Sequence, residues 1–258
     1  MHPQPAFRTA IAFACFCLAA SSAYFLNDAI DTEADRTHPR KRTRPIAAGE
    51  VAVRTAVVGG VTLAAAAIAL SFVARWQLAL VIGGYLALML IYSVWLKHEP
   101  VLDLAAVACG FVLRAIAGGV AVDVPISPWF LIVAGAGSLL IVTGKRSTEP
   151  RQLGTAAAGH RRALAGYTEA YLNYVRGVAS SVALLAYCVW AFDKSAQVGE
   201  QTWFEISTVP FAIGMLRYAL LLSQHQDDEP EELILSDRIL LAAGLAWVTI
   251  FAIAVHGG

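Results

Sequence analysis

Asn27-Asp28-x-x-Asp31-x-x-x-Asp35 stands where a long apolar run ends, and Arg36, Arg40, Lys41, Arg42, Arg44 and Pro45 follow directly. On a helix, offsets of three, four and seven residues stack Asp28, Asp31 and Asp35 on one face over about two turns. Carboxylates held so close repel one another, and a divalent cation relieves that repulsion. Hard oxygen ligands of this kind suit Mg²⁺ held jointly with substrate phosphates. The basic residues just beyond would then take the remaining phosphate charge. The competing reading is a solvated amphipathic loop with charges of both signs.

These residues need a frame, and composition says which kind. A chain of 258 residues that is 58% hydrophobic and 15% charged, with mean hydropathy +0.61, is too apolar for an ordinary soluble domain. It reads as one integral membrane domain over residues 1–258. The formal net charge of zero is uninformative, because charge is confined to a few connecting segments. The first apolar run, from about Ala6 to Leu26, lies too close to the polar motif for a removable signal segment and is expected to be a retained membrane helix. Cys15, Cys17, Cys109 and Cys188 all fall inside apolar runs without C-x-x-C spacing, and are expected to serve packing.

Spanning the hydrocarbon layer takes roughly 20 apolar residues as helix. About eight such runs occur, near 6–26, 51–74, 77–95, 103–122, 128–144, 171–192, 203–222 and 237–256. The fold class expected is therefore all-α: a polytopic membrane helix bundle whose two long cytoplasm-facing connections can close a polar cavity. Basic residues collect in two connections, Arg36 to Arg44 and Lys145 to Arg162, which strict alternation puts on one side. By the positive-inside rule that side is cytoplasmic, and both chain ends then lie outside. The acidic connection Asp227-Asp228-Glu229-Pro230-Glu231-Glu232 falls on the same side and reads as a solvated loop.

Other polar residues in or beside the runs are further candidates. Tyr92-Ser93-x-x-Leu96-Lys97 closes the third run, where Lys97 is either a site residue or a snorkelling anchor. Asp103 and Arg114, eleven residues apart, lie nearly on one helix face. Intramembrane ionisable groups are costly, so Arg114 is either a site residue or half of a structural ion pair. Arg217 in the seventh run is the weaker candidate. Gly144-Lys145-Arg146-Ser147-Thr148-Glu149 ends the fifth run; Lys145 and Glu149 could be an intrahelical pair, or a phosphate ligand and a further carboxylate. His160-Arg161-Arg162 and Tyr167-x-x-x-Tyr171 form a basic and aromatic lip that could equally anchor lipid headgroups.

Serine nucleophile motifs, Walker loops and H-E-x-x-H are missing from the sequence, so chemistry rests on carboxylates, metal and cations. The long motif, continuing to Arg44-Pro45-x-x-x-Gly49, resembles the first signature of the UbiA superfamily of intramembrane prenyltransferases, and Tyr92-Ser93-x-x-Leu96-Lys97 is similar to another of its elements. The resemblance implies Mg²⁺-bound diphosphate held between two aspartate-rich cytoplasmic motifs. It also implies nine helices, and this chain is expected to start at what would be the second.

The second motif departs from that pattern: Lys145-Arg146-x-x-Glu149 replaces the aspartates. Exchanging carboxylates for cations suits a donor with an additional anionic group. The stretches Lys41 to Gly49, Leu113 to Val120 and Gly144-Lys145-Arg146 resemble the decaprenyl-phosphate phosphoribosyltransferase branch. That resemblance implies transfer of 5-phosphoribose from phosphoribosyl diphosphate to a polyprenyl phosphate for cell-envelope arabinan precursors.

The roles expected are then as follows. Asp28, Asp31 and Asp35, with Asn27 assisting, hold Mg²⁺ on the diphosphate. Lys41, Arg42 and Arg44 take the departing oxygens, Lys145, Arg146 and Lys97 the ribose 5-phosphate, and Glu149 the charge developing on ribose. Arg114 guides the acceptor phosphate, while Tyr92 and Tyr167 complete the substrate-binding set. The plasma membrane is the expected location. No nucleic acid partner is expected, and a homo-oligomer is compatible with this reading. The alternatives are an ordinary prenyltransferase using a polyprenyl diphosphate and a small acceptor, or a transporter, whose polar groups would gather at midplane helix breaks.

Overall fold

The computed structural model describes residues 5–39, 41–153, 166–198, 202–224 and 230–256. Eight of its helical segments are long and apolar enough to cross a membrane, and no strand occurs among the described residues. Large apolar side chains such as Phe13, Trp76, Leu80 and Leu185 are exposed on them. Water would not tolerate that surface, whereas hydrocarbon does.

The chain divides into two compact units: residues 1–126 with 153–166, and residues 127–152 with 167–258. In the first, α1 (Pro5–Ile30) packs on α3 (Val53–Ala74), α4 (Trp76–Val94) and α5 (Leu102–Val122). Between α1 and α3 lies the short α2 (Thr32–Thr37). The core is built largely of small residues, with Ala12, Ala19, Ala67, Ala117 and Ala121 around Phe16, Leu78, Ile82 and Tyr85. Small side chains let backbones approach, which is how membrane helices gain van der Waals contact without a hydrophobic driving force. A close approach of α1 and α3 is at Gly60, whose carbonyl accepts from Ser22 Oγ at 2.7 Å. A Cβ on Gly60 would lie 2.9 Å from Leu26 Cγ. Leu26 immediately precedes Asn27, so this contact also sets where the acidic residues emerge.

The second unit contains α6 (Pro128–Leu153), α7 (Glu169–Gln197), α8 (Thr202–Ile206), α9 (Thr208–Gln224), α10 (Pro230–Ser236) and α11 (Arg238–His256). Pro210 has no N–H to return to the Ile206 carbonyl, and the helix breaks there at Ser207. The break is held by the Ser207 hydroxyl, 2.8 Å from Tyr187 Oη, which also accepts from Trp247 Nε1 at 2.7 Å. Tyr187 stacks on Phe211 with centroids 4.1 Å apart.

Arg217 proves structural. Its Nη2 donates to Asp237 Oδ2 at 2.6 Å and its Nε reaches both carboxylate oxygens at 3.2 Å, joining α9 to the start of α11. Asp237 Oδ1 also caps α11 by accepting from Leu240 N at 2.8 Å. These bonds, chiefly the guanidinium, lower the Asp237 pKa to about 2.

Two expectations follow. Gly60→Val should lower stability by roughly 1–3 kcal/mol through overpacking, read as a lower Tm in detergent, whereas Gly59→Ala, with nothing within 4 Å of its added Cβ, should not lower Tm. Because the folded Asp237 pKa lies below the unfolded value of about 3.9, the pair's stabilisation is complete above that value and lost as pH falls towards about 2. The Tm gap between wild type and Asp237→Asn should therefore stay constant from neutral pH down to about 4 and close below it.

Candidate active site

The acidic motif does not lie on one uninterrupted helix. Thr32 Oγ1 bonds the carbonyls of Asp28 and Ala29, at 3.0 and 2.9 Å, competing with the helical ladder. α1 ends at Ile30, Asp31 occupies the junction and Asp35 lies in α2. Helical bonds still run through, from Asp31 N to Asn27 O and from Asp35 N to Asp31 O, each 2.8 Å. Asp28 and Asp35, seven residues apart, therefore share a face.

The charge there is partly offset by the protein's own cations. Arg44 Nη1 donates to Asp28 Oδ1 at 2.7 Å and to Asp35 Oδ2 at 2.9 Å. Asp31 instead accepts from Lys97 Nζ. Lys97 is only 3% exposed, so it is no snorkelling anchor. Its carboxylate partner is Asp31, within the same unit. The expected stack of three carboxylates becomes a pair bridged by Arg44 and a third held by Lys97.

Local structure explains how these cations arrive. Arg44 follows a 3₁₀ turn, Lys41–Thr43, anchored where Lys41 N donates to His38 Nδ1 at 3.2 Å. Arg36 ties α2 to the same loop, with Nε 3.3 Å from Ala47 O, and Gly49 ends the loop at φ +83°, a conformation glycine accepts without a Cβ penalty. Lys97 lies on a second 3₁₀ turn, Leu96–His98, between α4 and α5. Beside it, Tyr92 Oη donates to the buried Asp103 Oδ1 at 3.0 Å. Val101, between Lys97 and Asp103, is held at φ +70°, which is strained for a β-branched residue.

Arg114 is about three turns from Asp103, roughly 16 Å along the helix axis. The two do not form the ion pair that their shared face suggested. Arg114 donates from Nη2 to Tyr85 Oη at 3.2 Å and lies 5.2 Å from the Phe111 ring centroid. It is the charged lining residue of an apolar groove of about 420 Å³ between α1 and α5, with Phe13, Phe16, Cys17 and Gly118.

In the second unit, Arg146 is buried and Lys145 half-buried on α6. Glu149 is on the same helix, and its side chain lies outside what the structure describes. Tyr167 stacks on Tyr171, with centroids 5.9 Å apart, at the start of α7. Arg42 is exposed and Lys41 half-buried.

Among the described residues, no three His, Cys, Asp or Glu side chains gather at metal-binding spacing. The donor chemistry nevertheless suits Mg²⁺, which takes one or two carboxylates and completes its shell with water and substrate phosphate. Asn27 Oδ1, buried without a hydrogen-bond partner, is a further hard oxygen beside Asp28.

Sequence reasoning missed three supporting residues: Thr32, whose hydroxyl bonds the carbonyls of Asp28 and Ala29; His38, which holds the basic loop; and Arg176, buried in α7. The first two carry no signal beyond their types. Arg176 did have one, as an ionisable residue inside an apolar run.

The UbiA prenyltransferase family profile matches residues 2–241. The chain is 46% identical over 250 residues to the decaprenyl-phosphate phosphoribosyltransferase of Corynebacterium glutamicum, covering 96% of this chain and 75% of that protein. To the protein of the same name from Mycolicibacterium smegmatis it is 41% identical over 262 residues, covering 99% and 82%. Among solved structures, a UbiA homolog from Archaeoglobus fulgidus bound to GPP and Mg²⁺ matches with TM-score 0.74 at 17% identity, over 96% of this chain and 86% of that one. The apo UbiA homolog from Aeropyrum pernix matches with TM-score 0.69 at 17% identity, over 92% and 87%. At such identity the structural likeness is one of fold, and it agrees with the all-helical architecture read from the hydrophobic runs. Sequence profile, long-range identity and fold converge: this multi-pass membrane protein belongs to the UbiA prenyltransferase family.

Proposed function

We propose that the protein transfers 5-phosphoribose from phosphoribosyl diphosphate to a polyprenyl phosphate and releases pyrophosphate. The observation that carries this reading is 41–46% identity, over nearly the whole chain, to proteins named decaprenyl-phosphate phosphoribosyltransferase. The cationic second motif supports it, since a donor with a 5-phosphate needs charge that an ordinary prenyl diphosphate does not. The reaction belongs at the cytoplasmic face of the plasma membrane, where the basic connections fall by the positive-inside rule. Its lipid product would supply cell-envelope arabinan synthesis.

Asp28, Asp31 and Asp35, with Asn27 assisting, hold Mg²⁺. When bound, the ion neutralises diphosphate charge and improves the leaving group. The chain's own residues do the rest. Donor binding exchanges internal ion pairs for ligand: diphosphate oxygens compete for Arg44 and Lys97, which frees oxygens of Asp28, Asp31 and Asp35. Arg44, Lys41 and Arg42 then stabilise the departing pyrophosphate oxygens as the anomeric C–O bond breaks. Lys145 and Arg146 take the ribose 5-phosphate, and Glu149 faces the positive charge developing on the ring. An acceptor phosphate oxygen forms the new bond to the anomeric carbon. A phosphate monoester is already anionic near neutral pH, so no strong general base is needed. The groove between α1 and α5 receives apolar chain, with Arg114 guiding the lipid phosphate, and Tyr92 acts through Asp103. Tyr167 remains an aromatic contact at the lip.

Purified protein with Mg²⁺, phosphoribosyl diphosphate and polyprenyl phosphate should give polyprenyl phosphoribose 5-phosphate by mass detection; no lipid product under these conditions rejects the assignment. Asp31→Asn should lower transfer on the order of a hundredfold or more, and unchanged turnover would remove Asp31 from the metal set. Lys145→Ala should raise the KM for phosphoribosyl diphosphate about tenfold, the scale of one charged hydrogen bond, with little change for the lipid. An effect confined to the lipid would reverse the assignment of the cation.

A further inference from the structure

The turn of α6 that carries Lys145 and Arg146 is weak as a helix. Gly144 lowers its propensity, and Pro150, four residues after Arg146, has no N–H for the Arg146 carbonyl. A guanidinium from α7 clamps this turn. Arg176 Nη2 donates to Thr143 O at 3.3 Å and to Ser147 Oγ, so its two anchors bracket Gly144, Lys145 and Arg146. Ser147 Oγ lies 3.2 Å from Gly144 O and 3.3 Å from Thr143 O, which closes the turn on itself. Arg176 is in turn fixed along its own helix, with Nη1 2.8 Å from Asn173 Oδ1 and 3.3 Å from Glu169 Oε1.

Burying this group is costly. Arg176 is 5% exposed, and Thr143 and Ser147 are buried with it. Its acceptors include a carbonyl, a hydroxyl, an amide and the partly exposed Glu169. Apolar residues of similar volume commonly hold two helices together as well or better. What a guanidinium adds is direction: it fixes one turn of α6 in rotation and height, and it brings a third positive charge beside Lys145 and Arg146.

We infer that Arg176 is a positioning residue for the phosphate end of the donor, acting through the α6 turn that presents Lys145 and Arg146. The inference rests on the phosphoribosyl transfer proposed above. Arg176 does not touch the donor. It sets the spacing of the two cations that do, so its loss weakens recognition of the 5-phosphate more than it weakens the transfer step or lipid binding.

Steady-state kinetics of the full chain in detergent with lipid test this, with wild type, Arg176→Met, Arg176→Lys and the milder Ser147→Ala. The expected result is a rise of tenfold or more in the KM for phosphoribosyl diphosphate in Arg176→Met. Its lipid KM should stay within twofold of wild type, and kcat should fall less than the donor KM rises. Arg176→Lys should recover part of the loss. Ser147→Ala should shift the donor KM in the same direction, and combining it with Arg176→Met should add little. If the Arg176→Met protein does not fold, Ser147→Ala alone decides by the same donor-against-lipid comparison. Equal changes in both KM values, or a loss of activity that tracks Tm, would show a merely structural clamp and overturn the inference. Failure of wild type to use phosphoribosyl diphosphate at all would instead defeat the parent reading and this one with it.

Discussion

The charge balance at the acidic end of the first unit governs the rest of the site. Three aspartates emerge there from an apolar bundle, where unbalanced charge is costly, and Arg44 and Lys97 offset most of that charge. Arg44 joins two carboxylates that sequence separates by seven residues. Lys97 comes from 66 residues further along the chain to the third. Because both cations are donors that a phosphate can also use, the arrangement that stabilises the protein without ligand is the one that ligand would reorganise. Cation and anion would enter together, each relieving the group that the other leaves unpaired.

Such a balance needs a rigid frame. The acidic residues are fixed from below by the close approach of α1 and α3 at Gly60, and from the side by the loop that Arg36, His38 and Gly49 shape. The second motif has a different support, a guanidinium clamp across two helices. Both supports lie outside the residues that would touch substrate. Exchange of either would leave the motifs intact in sequence while altering what they present.

The hydrophobic runs revealed the spans, because hydrocarbon demands long uncharged helices and leaves little freedom in their length. The first helix passes the expected end at Leu26 and carries Asn27 and Asp28, since polar residues at a helix end need not stop it. The seventh run hid a break at Ser207, which hydropathy cannot register and Pro210 could have suggested. Spacing correctly joined Asp28 and Asp35 on one face. It could not show that Arg44 and Lys97 would answer the carboxylates, because partners distant in sequence meet only in three dimensions. The same limit left Arg114 open between a site residue and half of an ion pair with Asp103, whereas each of the two bonds a tyrosine hydroxyl. Arg176 was legible as a charge in an apolar run, but its target on α6 was not.

Equilibrium titration of Mg²⁺ into the purified protein, with and without saturating phosphoribosyl diphosphate and corrected for ion bound by free ligand, examines the charge exchange directly. Mg²⁺ alone should bind weakly, because Arg44 and Lys97 occupy the carboxylates, and more tightly by on the order of tenfold or more when the donor is present. Tight Mg²⁺ binding of equal affinity in both conditions would contradict that exchange.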